Sequence, residues 1–93
     1  MLEIENKTGD IAQRVATFLL ATKVFRDLIG DRQLSPQTKL IEEGILDSIG
    51  IFDLIGYLES QFPVRIASQD VVEANFRDLV SIEALVRLKL KGT

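Results

Sequence analysis

The chain has 93 residues, 46% hydrophobic and 27% charged, with a formal net charge of −3 and neither cysteine nor histidine. That size fits one domain with a small core and argues against a wholly disordered chain. The missing residue types exclude disulfides, thiolate–zinc sites, cysteine nucleophiles and histidine general bases, and the net acidity argues against nucleic-acid binding.

The N-terminus, Met1-Leu2-Glu3-Ile4-Glu5, lacks the basic and apolar regions of a signal peptide, and no apolar run is long enough to span a bilayer. The expectation is a cytoplasmic protein without membrane contact. No metal is expected either, because the acids lack EF-hand-like spacing. Residues 1–7 form a short extension to which the sequence assigns no role.

From Gly9 to Ile29, apolar residues at Ile11, Val15, Phe18, Ala21, Phe25 and Ile29 recur at three- and four-residue steps. This predicts one long amphipathic helix of about six turns, widened by Leu19 and Leu28, with Thr8 or Asp10 as its cap and Gly30-Asp31 as its end. Residues 31–47 contain Ser35, Pro36 and Gly44 and read as a long loop. Leu34, Leu40, Ile41, Ile45 and Leu46 predict that this loop packs down, and an ordered connection of that length is more often functional than idle.

A second helix is predicted over Ser48–Phe62, with Ile49, Phe52, Ile55, Leu58 and Phe62 as its apolar line and Pro63 as its stop. Gly50 and Gly56 each cost a helix roughly 1 kcal/mol against Ala, which implies a packing or contact reason. Ser68 is expected to cap a short third helix through Asp70, Val71, Val72 and Glu73. Asp78 is expected to cap a fourth, with Ile82, Leu85, Val86 and Leu90 on its buried side and Lys89 and Lys91 at its negative end. No pair of strands with hairpin chemistry is present. The predicted fold is all-α: long helix, long loop, second helix, short helix, fourth helix.

The candidate site is Gly44-Ile45-Leu46-Asp47-Ser48-Ile49. Asp-Ser suits a helix start, where side-chain oxygens accept from the free N–H groups of the first turn. A Ser hydroxyl there also suits a phosphate-linked modification, because a helix N-terminus stabilises negative charge. Ser48 is not a catalytic nucleophile: no histidine activates it and no Gly-x-Ser-x-Gly elbow surrounds it.

This stretch resembles the prosthetic-group attachment site of acyl and peptidyl carrier proteins, which reads Gly-x-x-Asp-Ser-Leu/Ile. The order and spacing of the helices resemble that four-helix carrier bundle over residues 8–91. Asn75-Phe76-Arg77 resembles the junction before the last helix in many peptidyl carrier domains. The resemblance implies a non-catalytic shuttle with 4′-phosphopantetheine on Ser48, delivered from coenzyme A by a phosphopantetheinyl transferase and holding acyl or aminoacyl groups as thioesters. It places Asp47 in the motif the transferase recognises, beside its plain role as a cap. It makes Ile49 a hydrophobic contact for partner enzymes.

Residues 40–64 contain Glu42, Glu43, Asp47, Asp53 and Glu59 and no Lys or Arg, so the rest of the chain is net positive. Such a run is either a solvated face or an acidic docking surface that steers basic partners. Fatty-acid-synthesis carriers have several more acids along the second helix. Here Asp53 and Glu59 remain as matches, while Gly50, Gly56, Ser60 and Gln61 leave the face less charged. This favours a specialised carrier, in fatty acid or secondary metabolite biosynthesis, meeting a dedicated partner such as an adenylating acyl- or aminoacyl-ligase or a synthase, with Gly56 admitting close approach. A monomer is expected, since a carrier visits its enzymes in turn. The five phenylalanines read as core packing ahead of an acyl-chain cavity. A second reading stays open: an unmodified helical interaction module of the same fold, in which Asp47-Ser48 is merely a cap. Helix-turn-helix DNA binding lacks a basic recognition helix, and no acid, base and nucleophile set supports an enzyme.

Overall fold

The first apolar stripe folds as two helices where the periodicity predicts one. In the computed structural model, which describes residues 11–92, helix α1 is Ile11–Ala21 and helix α2 is Lys23–Ile29. The expected caps Thr8 and Asp10, the extension 1–7 and the first domain boundary lie outside the described residues. The chain leaves helical geometry at Thr22, with φ −92° and ψ 120°. The Thr22 hydroxyl donates to the Phe18 carbonyl at 2.7 Å, and the Thr22 N–H donates to the same oxygen at 3.0 Å. This back-bonding to residue i−4 by a β-branched side chain bends helices. The break also re-phases the stripe. In one continuous helix Leu19 and Phe25 would stand about 120° apart around the axis. With the break, Ile11, Val15 and Leu19 of α1 and Phe25 and Ile29 of α2 all enter the core. Ala21 and Leu28, expected on the buried face, are exposed.

The long connection is packed down as predicted. Leu40, Ile45 and Leu46 are buried. The Leu40 N–H donates to the Arg77 carbonyl at 2.8 Å, and the Leu79 N–H donates to the Pro36 carbonyl at 3.1 Å, so the loop is sewn to the start of the last helix. Gly44 has φ +78°, a conformation that favours glycine, and it turns the chain so that the Ile45 and Leu46 N–H groups both reach the Leu40 carbonyl.

Helix α3 is Ser48–Gln61 and runs antiparallel to α1–α2. Phe25 meets its first turn at Gly50. Farther along, Phe18 stacks on Tyr57 with ring centroids 4.2 Å apart, and the Tyr57 hydroxyl donates to the Arg14 carbonyl at 3.1 Å. At the far end the Arg14 guanidinium donates to Gln61 Oε1 at 2.7 Å and lies over the Phe62 ring. The buried line of α3 is Gly50, Leu54 and Leu58. This corrects the predicted line: Ile49 is 72% exposed and Phe52 is 66% exposed. The helix is rolled so that its glycine, and not its neighbouring isoleucine, faces Phe25.

The predicted short third helix is absent from the described residues. Two single 3₁₀ turns, Ser68–Asp70 and Glu73–Asn75, stand in its place. Ser68 is not the cap; the Asp70 carboxylate accepts from the Ala67 N–H at 2.8 Å. An α-helix would give the Asp70 carbonyl to the Ala74 N–H. Here that oxygen accepts from the Asn75 side chain at 2.8 Å and from the Val72 N–H at 2.9 Å. Helix α4 is Leu79–Gly92, capped as expected by Asp78, whose Oδ1 accepts from the Ser81 N–H at 2.8 Å. No helix among the described residues is long and apolar enough to cross a membrane.

The two helical glycines should respond oppositely to alanine. A Cβ at Gly50 would lie 2.9 Å from a Phe25 ring carbon, whereas a Cβ at Gly56 meets nothing within 4 Å. Gly50→Ala should cost about 1–3 kcal/mol by overpacking, and Gly56→Ala should gain about 0.5–1 kcal/mol from helix propensity, both measured by urea unfolding.

Lys89 Nζ lies 2.6 Å from Asp70 Oδ2. That hydrogen bond, together with the one from the Ala67 N–H, holds the Asp70 carboxyl below the usual carboxylate range. A depressed carboxyl contributes stability above its unfolded pKa, about 3.9, and the contribution is lost as pH falls through the lower folded value. Asp70→Asn should therefore flatten the fall in stability below about pH 4. Equal acid slopes in urea titrations of parent and variant would show that the bridge contributes nothing.

Candidate functional site

The Asp47-Ser48 pair sits where the packed loop becomes α3. Asp47 is the N-cap, in extended geometry, with Oδ1 accepting from the Gly50 N–H at 2.8 Å. Its carbonyl accepts from the Ile51 N–H at 2.8 Å. Ser48 is the first helical residue and is exposed. Buried anchors flank it on both sides: Leu46 before the cap, Gly50 against Phe25 after it. The hydroxyl is thus presented to solvent from a fixed base.

The remaining predicted residues fall into two groups. Glu43 and Glu59 are used inside the molecule. Glu43 pairs with Arg32 at 2.9 Å, and Arg32 also donates to the Ile29 carbonyl at 3.1 Å and to the Leu28 carbonyl, tying the end of α2 to the turn before Ser48. The Glu59 carboxylate accepts from the Ile66 N–H at 2.8 Å, clipping α3 to the segment that follows it. Ile49, Asp53 and Gly56 lie on the exposed side of α3, and Glu42 is exposed on the turn before it.

The apolar periodicity of the helix predicts Phe52 in the core. It stands on the exposed side, four residues after Ser48 and four before Gly56. The signal was available: Gly50, Leu54 and Leu58 make an equally regular line at four-residue steps, and choosing it turns Phe52 outward. Phe25, Phe62 and Phe76 are buried and Phe18 is partly buried, as the core reading expects.

Residues 21–88 match the family described as the phosphopantetheine attachment site. The chain belongs to this carrier-protein family. It is similar to a probable acyl carrier protein, PigG, of Serratia sp. (strain ATCC 39006), with 46% identity over 57 residues, 60% of this chain and 66% of that protein. The match thus spans just under two thirds of the relative's length. No solved structure matches at a significant level.

The family is one of carriers, not catalysts, on which 4′-phosphopantetheine is covalently attached. The residues present fit that group. An exposed hydroxyl opens the 14-residue helix α3, and the neighbouring carboxylate is turned to the Gly50 N–H. A helix N-terminus favours a phosphate at that point. When bound, the group supplies a terminal thiol that holds cargo as a thioester.

Removing the cap isolates its structural part. Asp47→Ala should cost about 1 kcal/mol by freeing the Gly50 N–H, whereas Asp47→Asn should cost markedly less, because Asn is an equally good cap. Thermal unfolding of both variants checks the order.

Proposed function

We propose that Ser48 is the residue that carries the phosphopantetheine arm. The observation that supports this most is the exposed hydroxyl at the start of α3, behind the Asp47 cap and within the matched residues 21–88. In the loading reaction the Ser48 oxygen attacks the β-phosphate of coenzyme A. The new O–P bond forms as the pyrophosphate P–O bond breaks, 3′,5′-ADP leaves, and the hydroxyl proton passes to a base of the phosphopantetheinyl transferase. Asp47 contributes by holding the first turn in place, and it stands beside the phosphate as part of the surface the transferase reads.

The cargo in this reading is an acyl or aminoacyl group, loaded by an adenylating ligase or a synthase in the cytoplasm, in a specialised pathway. The relative named a probable acyl carrier protein supports the acyl choice. The modest acidity of the exposed side of α3 supports a dedicated partner, and a monomer suits successive transient encounters.

Intact mass after incubation with coenzyme A, Mg²⁺ and a broad-specificity phosphopantetheinyl transferase tests the assignment. The parent should gain one phosphopantetheine and Ser48→Ala none. A folded parent that gains nothing with several transferases would leave an unmodified interaction module; a gain on Ser48→Ala would move the attachment point elsewhere.

A further inference from the structure

Position 50 is enclosed on three sides. A Cβ there would lie 2.9 Å from a Phe25 ring carbon, 3.3 Å from Asp47 Oδ1 and 3.5 Å from a Leu46 methyl carbon. The three belong to different parts of the chain: helix α2, the cap of α3 and the packed loop. Phe25 and Leu46 are buried, so the core holds both walls in place. The third wall is the cap itself, whose Oδ1 accepts from the Gly50 N–H at 2.8 Å. Phe25 faces this point because α2 starts afresh after the break at Thr22.

Ser48 stands between the cap and the enclosed glycine. Among the described residues its hydroxyl makes no hydrogen bond, so the backbone of the turn alone sets where the oxygen lies. That backbone is tied down at Asp47 by the Gly50 N–H and at Gly50 by the Phe25 ring. A large ring against a residue without a side chain makes a matched pair in a close-packed interior, and enlarging one member or shrinking the other moves the turn. Ordinary contact with a Cβ begins at 3.4 Å, so relieving the 2.9 Å contact needs a shift of about half an ångström. A misplacement of about 1 Å at reacting atoms can cost about 10²-fold in rate, which makes about tenfold the scale expected here.

We infer that Phe25 is a positioning residue for arm transfer: through Gly50 it holds the Asp47 cap, and with it the place from which the Ser48 oxygen meets the phosphorus of coenzyme A. The inference rests on the assignment of Ser48 as the attachment point. It concerns the rate of the transfer step and not the affinity of the encounter, because Phe25 is buried and touches no partner.

A size swap tests it. Initial rates of arm transfer from coenzyme A by a broad-specificity phosphopantetheinyl transferase are measured against carrier concentration. The carriers are the parent, Gly50→Ala, Phe25→Leu, the double variant and Val86→Ala, each at a temperature where circular dichroism shows it folded. Val86 is a buried residue of α4 that takes no part in enclosing position 50, so its variant reports lost stability alone. Gly50→Ala should lower kcat about tenfold with KM held within about twofold, the split expected when the reacting group is misplaced and the contact surface is kept. Phe25→Leu should lower kcat in the same sense, because the turn loses a wall. The double variant should recover to within about threefold of the parent: leucine lacks the ring carbon that the new methyl would strike, and the methyl fills part of the vacated space. Val86→Ala should keep the parent kcat.

An unchanged kcat in both single variants, an equal loss in Val86→Ala, a loss that appears in KM and not in kcat, or single losses that multiply in the double variant each overturn the inference and leave the Ser48 assignment standing. Where Gly50→Ala does not fold, Phe25→Leu and its recovery in the double variant decide the matter. A folded parent that takes up no arm overturns both.

Discussion

Phe25 reaches the backbone of α3 because position 50 has no side chain: a Cβ there would lie 2.9 Å from the ring and 3.3 Å from Asp47 Oδ1. This contact fixes the roll of the helix. With Gly50 inward, Leu54 and Leu58 follow at four-residue steps into the core, and Ile49 and Phe52 are driven outward. The same contact sets the Gly50 N–H where the Asp47 carboxylate accepts it, and so fixes the turn from which Ser48 projects. A leucine or alanine at position 50 would improve local helix propensity and compromise the site. The helix tolerates its poorest ordinary residue there for the sake of what packs against it.

The other half of the site's support comes from the loop. A connection of this length is expensive to order, because each fixed backbone residue costs about 1–2 kcal/mol of conformational entropy. Three buried side chains, Leu40, Ile45 and Leu46, offset part of that cost. Backbone bonds to Arg77 and from Leu79 attach the loop to the head of α4, and Arg32 attaches its turn to the end of α2. The segment before Ser48 is thus held by elements from both ends of the fold. On the proposed assignment of Ser48, an enzyme approaching it meets a prepared surface and does not have to order a loop, which removes one of the costs of binding.

Much of this was legible in the sequence because it depends on local chemistry. Asp47 and Asp78 announce helix starts by residue type and position, and both accept from the N–H three residues on. The buried loop leucines and the glycine turn are equally local. What was not legible depends on competition between registers. Phe52 and Leu54 belong to two apolar lines of nearly equal regularity, and only the meeting of Gly50 with a residue 25 positions earlier decides between them. Thr22 looks like an ordinary helix residue until its hydroxyl claims the Phe18 carbonyl. The short third helix failed for a similar reason: Asn75 and Val72 take the Asp70 carbonyl that the helix needed. In each case a tertiary or side-chain bond outweighs a periodic pattern that favours it only weakly.

The acids of residues 40–64 show how composition and function separate once the fold is known. As a run they suggest a docking field. In place, Asp47 caps a helix, Glu43 ties a turn to Arg32 and Glu59 clips α3 to Ile66. Their charge still contributes to the potential around Ser48, and long-range steering survives such pairing in part. One backbone N–H occupies a single oxygen of the Asp47 and Glu59 carboxylates, so each keeps its charge and further acceptor sites for a partner's cation. A carrier must bind tightly enough to be recognised and release quickly enough to move on, and most differences between related complexes lie in the dissociation rate.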